Sequence, residues 1–91
     1  MAGNISHGMN IDEVKGLGSN LKQISQDMNN MMNMLHNKVG STSWVGPDAT
    51  RFKNEWWPQH RAHLQKMIQD LDGFGQSALN NASEQENVSG H

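Results

Sequence analysis

Residues 14–35 read VKGLGSNLKQISQDMNNMMNML, and apolar side chains recur along them at alternating intervals of three and four residues. This heptad spacing persists for three repeats and predicts an α-helix with a continuous apolar seam. The predicted seam of this first helix consists of Val14, Leu17, Leu21, Ile24, Met28, Met31 and Leu35. Glycines and asparagines, which are weak helix formers, interrupt the stretch, so packing of the seam is expected to stabilise the helix more than intrinsic propensity does.

The ends of the first helix are marked by capping residues. Asn10, followed three residues later by Glu13, is typical of an N-terminal cap, and Gly40 can adopt the left-handed conformation that ends a helix. The sequence therefore predicts a first helix over residues 10–39. Residues 1–9 are small, polar and without period, and they are expected to form a flexible N-terminal arm.

A second helix is predicted over residues 47–83. Pro47 suits the first helical position, Asp48 suits the positive end of the helix dipole, and Gly46 permits the backbone conformation that precedes them. The predicted seam consists of Ala49, Phe52, Trp56, His60, Leu64, Met67, Leu71, Phe74 and Ala78. Its spacing shifts by one residue at Pro58, where we expect a bend rather than a break.

Two long helices joined by a turn at residues 40–46 are expected to form an antiparallel hairpin over residues 10–83, with a flexible C-terminal tail at residues 84–91. The fold class is therefore all-α. Further apolar residues flank the two seams and widen them, namely Ile11, Met32, Val39, Trp57 and Ile68. Because one hairpin cannot cover stripes of this width, the sequence predicts that a second hairpin covers them and completes a four-helix bundle.

Composition excludes several classes of function. The chain has 91 residues, no cysteine and a net charge of −2, which predicts one small domain and no basic surface for nucleic acid. No apolar run is long enough to span a bilayer, and the N-terminus lacks the pattern of a signal peptide, so export would need a route that requires neither. Without a phosphate-binding loop, a nucleophile motif or paired carboxylates, the chain is not expected to be an enzyme or to bind a cofactor.

Two patterns could suggest a metal site, and neither is specific. The methionines of residues 28–34 are soft ligands for copper, but most of them continue the seam, and Met34 points away from the others. His60 and His63 lie one turn apart and could bind a divalent ion with His36 from the facing helix, but carboxylates at ligand spacing are missing. We therefore expect no metal site.

The tripeptide Trp44-Val45-Gly46 lies midway between the two predicted helices. With the chain length, the absence of cysteine and the two amphipathic helices, it resembles the WXG, or ESAT-like, family of small type VII secretion substrates over residues 10–86. The stretch from Trp44 to Ala49, followed by Phe52 and Trp56, is similar to actinobacterial members in particular.

The resemblance implies a helical hairpin that pairs with itself or with a sister chain of the family. It also implies synthesis in a bacterial cytoplasm, export in the folded state by a membrane ATPase, and a role as secreted effector or co-secretion chaperone. Many family members carry Tyr-X-X-X-Asp/Glu after the second helix, whereas this chain has no tyrosine. Contact with the secretion ATPase is therefore expected either directly through another feature or through the partner chain.

Other interpretations remain open at this stage. The chain could be a cytosolic four-helix-bundle adaptor or regulator that is not exported, and an amphipathic helix released from the bundle could contact a membrane. Within the WXG turn, Trp44 is interpreted as a loop anchor packed on the helix ends, with contact to a partner as the alternative, and Gly46 is assigned the tight backbone turn.

Overall fold

The computed structural model describes residues 5, 6 and 8–89. Two short strands, β1 (Ile5–Ser6) and β2 (Met9–Asn10), pair antiparallel and precede the helices. The helical part comprises α1 (Ile11–Ser41), α2 (Pro47–Arg51), a π-helical turn (Phe52–Trp56) and α3 (Trp57–Ser89). Packing of α1 against α3 forms an elongated hairpin that measures 66 × 16 × 15 Å. The all-α class with two long helices is therefore confirmed.

Helix α1 begins as predicted and ends later than predicted. The side chain of Asn10 accepts a hydrogen bond from the backbone N–H of Glu13 at 3.1 Å, which confirms the N-terminal cap. Gly40 does not adopt a positive φ, so the prediction that it ends the helix is wrong. The helix instead runs to Ser41, and the backbone N–H and the hydroxyl of Thr42 both donate to the carbonyl of Lys38.

The second helical arm runs without a break from Pro47 to Ser89. Gly46 has φ +121° and Pro47 takes the first helical position, as predicted. The π-helical turn contains the residue that shifts the seam: the N–H of Trp57 donates to the carbonyl of Phe52, five residues earlier. A turn of this kind inserts one extra residue into the helix. The shift therefore occurs just before Pro58 rather than at it.

Both predicted termini need correction where the structure describes them. Residues 84–89 continue α3 instead of forming a tail, and Lys15 of α1 forms an ion pair with Glu86 at 2.8 Å. Residues 90 and 91 lie outside the described part of the chain. In the predicted N-terminal arm, residues 5, 6 and 9 belong to the strand pair, whereas residues 1–4 and 7 are not described.

The two long helices approach each other closely at a pair of glycines. A Cβ atom added to Gly18 would lie 2.8 Å from the carbonyl oxygen of Gly75, and one added to Gly75 would lie 2.7 Å from the carbonyl oxygen of Gly18. The side chain of Leu79 covers Gly18, and the methylene stem of Lys22 covers Gly75. Only glycine fits at either position without moving a backbone.

The apolar core lies nearer the turn and is built from residues that the sequence analysis assigned to the flanks of the seam. Met32, Trp57 and Ile68 form the buried cluster, and Met28, Val39, Phe52 and Leu64 pack against it. The indole N–H of Trp57 donates to Nδ1 of His36 at 2.9 Å, which satisfies the polar group of the buried ring. Trp57, which was predicted at the flank of the seam, therefore belongs to the core.

The conformation of Gly46 leads to a testable expectation. Although open space surrounds the position of a Cβ atom there, a φ of +121° is strained for any L side chain. Gly46→Ala is expected to lower the free energy of unfolding by about 1–3 kcal/mol because the new residue must hold this conformation or distort the turn. Chemical denaturation followed by circular dichroism measures the change, and an unchanged unfolding midpoint would contradict it.

Candidate interaction surface

The two sides of the hairpin differ in polarity. The buried positions of α1 follow one another at intervals of seven residues, namely Ile11, Gly18, Ser25 and Met32. On one side of this line, Lys22 forms an ion pair with Asp72 at 3.2 Å. A groove of about 430 Å³ on this side is lined by Ser19, Lys22, Gln23, Gln26, Asp72 and Leu79. This side is polar and carries cross-helix ion pairs.

The other side is apolar and exposed, and we call it the apolar face. Its members lie on α1, on the π-helical turn and on α3, and all of them are solvent-exposed: Leu17, Ile24, Met31, Leu35, Trp56, His60, Met67 and Phe74. Leu17, Ile24 and Met31 are spaced seven residues apart, as are His60, Met67 and Phe74, so each set forms one stripe along its helix. The exposed fraction of Phe74 is 63% and that of Met31 is 62%.

The predicted seam is therefore divided between two environments. One part is buried or half-buried and contributes to the hairpin contact: Val14, Leu21, Met28, Ala49, Phe52, Leu64, Leu71 and Ala78. The other part forms the apolar face. The physical reason is that the helices turn small residues, Gly18, Ser25 and Gly75, towards each other. This orientation moves the larger seam residues to one side of the contact.

Two adjacent grooves run along the apolar face between the helices. The larger one, of about 530 Å³, lies towards the turn and is lined by Leu35, Phe52, Trp56, Trp57, His60, His63, Leu64 and Met67. The smaller one, of about 250 Å³, is lined by Met28, Met31, Met32, Leu35, Leu64 and Ile68. Leu35 and Leu64 border both grooves, so the two form one continuous apolar depression. Such a depression is suited to apolar side chains of another helix.

A row of rings follows the turn-proximal edge of the apolar face. Successive ring centroids are separated by 5.7 Å between Trp44 and Phe52, 5.0 Å between Phe52 and Trp56, and 4.0 Å between Trp56 and His60. Phe52 and Trp56 lie at the two ends of the π-helical turn, and their rings are stacked. Stacked rings of this kind form a rigid surface with a large contact area.

The structure places the candidate metal ligands in separate roles. His60 and His63 have ring centroids 6.2 Å apart, and Nδ1 of His60 lies 2.9 Å from the carbonyl oxygen of Trp56. His36 accepts the hydrogen bond from Trp57 instead of joining them. Among the residues that the structure describes, no three His, Asp or Glu side chains are grouped so that they could share a metal ion.

Trp44 does not have the buried environment that the anchor interpretation required. Its exposed fraction is 44%, its ring contacts Phe52, and it lines a separate small cavity of about 210 Å³ beside the end of α1. The neighbouring Val45 is 91% exposed. The loop is also held through its backbone, because Nζ of Lys53 donates to the carbonyls of Thr42 and Trp44. The Trp44 side chain therefore belongs to the exposed surface more than to the core.

This placement changes the expected effect of removing the ring. A buried anchor would make Trp44→Ala cost about 2–4 kcal/mol, as large-to-small core substitutions do. Because the substitution instead removes a half-exposed ring that packs on Phe52, we expect a decrease of about 0.5–1.5 kcal/mol in the free energy of unfolding. Urea denaturation of the wild type and the variant tests this value. A decrease above about 3 kcal/mol would restore the anchor interpretation.

Comparison with known proteins found no matching family model, no matching curated protein and no matching solved structure. Within the described residues, neither α1 nor α3 is apolar enough over its length to cross a membrane.

Proposed function

We propose that this chain is a non-enzymatic interaction protein that pairs through the apolar face and is exported as a substrate of a type VII secretion system. The observation that carries the proposal is the apolar face itself, which extends along a hairpin whose opposite side is polar and ion-paired. A large exposed apolar patch with a polar rim is typical of a protein–protein contact. Catalysis is not part of the proposal, because the face offers apolar surface and two exposed imidazoles rather than a polar cleft.

The partner is a second hairpin, either another copy of the chain or a sister chain of the WXG family. Two hairpins that share their apolar faces would bury the exposed seam residues of both and complete a four-helix bundle. The charge distribution supports a second copy in antiparallel orientation. Residues 36–66, around the turn, contain five basic and two acidic residues, whereas the rest of the chain contains two basic and seven acidic residues. Antiparallel pairing would place the basic turn region of each copy, residues 36–66, beside the acidic remainder of the other copy.

The secretion role rests on the resemblance around Trp44-Val45-Gly46 and on the hairpin that accompanies it. In this proposal the protein is made in a bacterial cytoplasm and leaves it without a signal peptide, as an effector or as the chaperone of a co-secreted partner. Since this chain lacks Tyr-X-X-X-Asp/Glu, and a second copy of it lacks the motif too, we assign contact with the secretion ATPase to a sister chain that carries the motif, and a homodimer would then be a resting form. Export would then depend on pairing.

The proposal is tested by pairing and export together. Sedimentation equilibrium of the purified protein, alone and with candidate sister chains encoded beside it, measures pairing. Immunodetection in culture supernatant, with and without the secretion ATPase, measures export. Pairing combined with ATPase-dependent export supports the proposal. A paired protein that stays in the cell supports the cytosolic adaptor instead, and a protein that remains monomeric with every candidate contradicts both.

A further inference from the structure

Two methionines lie where a change in their polarity would alter the apolar face. Met31 borders the smaller groove and is 62% exposed, and Met67 borders the larger groove and is 54% exposed. They belong to different helices and therefore contribute to both walls of the apolar depression. A thioether is apolar and adaptable, which suits it to a surface that packs against another helix.

The same thioethers can react with a hydroperoxide. The sulfur lone pair attacks one peroxide oxygen, the S–O bond forms as the O–O bond breaks, and the leaving hydroxide or alkoxide takes up the proton. The sulfur loses two electrons and the peroxide gains them, so the products are a sulfoxide and water or an alcohol. The sulfoxide is a polar hydrogen-bond acceptor, and methionine sulfoxide reductases return it to the thioether.

We propose that Met31 and Met67 form a peroxide-sensitive modification site that controls pairing of the hairpin. The proposal rests on the function proposed above, because it requires the apolar face to be covered by a second hairpin. Oxidation of an unpaired hairpin places sulfoxide oxygens on the apolar face, which loses its contact with water when two hairpins pair. Each sulfoxide buried without a hydrogen-bond donor is expected to raise the dissociation constant of the pair by roughly ten- to a hundredfold.

Other methionines in the same part of α1 provide internal standards. Met32 is buried in the core at 5% exposure, so it is protected by folding rather than by pairing. Met34 is 69% exposed but borders neither of the two grooves, so its oxidation should proceed at the same rate in paired and unpaired protein. Of the exposed methionines in α1 and α3, namely Met31, Met34 and Met67, we therefore expect pairing to protect Met31 and Met67 but not Met34.

The test uses the full chain, hydrogen peroxide as the oxidant, peptide mass spectrometry to locate sulfoxides and sedimentation velocity to measure pairing. As protein concentration rises through the dissociation constant, oxidation of Met31 and Met67 should slow, whereas oxidation of Met34 should not. Oxidised protein should sediment as the single hairpin, and treatment with methionine sulfoxide reductases should restore the pair. Equal oxidation rates at all concentrations would overturn the proposal.

Leucine variants separate this site from general oxidative damage. The double variant Met31→Leu, Met67→Leu keeps an apolar face of similar volume and should pair normally before and after peroxide treatment. The matched variant Met34→Leu should remain as sensitive as the wild type. Dissociation of the double variant by peroxide would contradict the assignment.

The outcome also distinguishes this inference from the proposed function. Wild-type protein that pairs before treatment and still pairs when Met31 and Met67 are fully oxidised would overturn the modification site and leave the proposed function intact. Protein that does not pair before treatment, alone or with a sister chain, would overturn both.

Discussion

Alanine at Gly18 or at Gly75 is expected to lower the free energy of unfolding by about 1–3 kcal/mol, as overpacking of a close contact does. The added Cβ atom would meet the carbonyl oxygen of the facing glycine at 2.8 Å for Gly18 and at 2.7 Å for Gly75. Both carbonyl oxygens belong to the backbone, so the clash can be relieved only if the two helices move apart. Such a movement would loosen the adjoining packing of Leu79 and Lys22. Urea denaturation followed by circular dichroism measures the decrease.

Two other glycines provide matched controls. Gly16 lies two residues before Gly18, and Gly73 lies two residues before Gly75. The Cβ position of each of these two glycines is surrounded by open space. Alanine there should raise the free energy of unfolding by about 0.5–1 kcal/mol, because it favours the helix without meeting a neighbour. All variants are compared at one protein concentration, because pairing adds to apparent stability. A similar effect at all four positions would contradict the conclusion that Gly18 and Gly75 are needed for close contact between the helices.

The sequence predicted the helices well because capping and turn residues act locally. Asn10 caps α1 through its own side chain, and Gly46 with Pro47 sets the start of α2 through backbone geometry alone. The end of α3 was predicted too early because residues 84–89 have little apolar character. Their helix is supported from the facing helix, as the ion pair between Lys15 and Glu86 illustrates. A contact between residues 71 positions apart in the sequence leaves no local signal.

The orientation of the helices was harder to predict than their existence. A search for large apolar side chains at heptad spacing finds the stripe through Leu17 and Ile24, because those residues are among the most hydrophobic on α1. The hairpin instead places Gly18 and Ser25 at its centre, where a small side chain allows close packing. The signal was present as a second series at intervals of seven residues, which joins Ile11 to Met32 through these two small residues.

The candidate surface follows from the same orientation. Once the small residues occupy the helix–helix contact, the large residues beside them are left on one side of the hairpin. Their presence could be predicted from the sequence, which indicated more apolar surface than one hairpin can bury. Their division into a core part and an exposed part could not, because it depends on the rotation of each helix about its own axis. Trp57 and Trp56 illustrate this division, since adjacent rings occupy the core and the surface, respectively.

A positive charge in the apolar face is expected to abolish pairing while the hairpin remains folded. Ile24 is 48% exposed and lies in the middle of the exposed stripe of α1, so Ile24→Lys replaces none of the buried residues of the single hairpin. In the pair, the ammonium group would have to leave water or hold the two hairpins apart. We expect the dissociation constant to rise by at least about a hundredfold, as for an uncompensated charge at the centre of an interface. Sedimentation velocity measures pairing, and far-ultraviolet circular dichroism verifies the helix content.

The neighbouring residue provides the control for this experiment. Gln23 borders the polar groove on the other side of α1, and its amide donates to Asp27 at 3.0 Å. Gln23→Lys adds the same charge to the same helical turn and can still reach Asp27, so pairing should change less than about threefold. Phe74→Lys tests the α3 side of the apolar face and should behave like Ile24→Lys. If Ile24→Lys and Phe74→Lys both pair as the wild type does, then hairpins associate through another surface, and the apolar face is not the site of pairing.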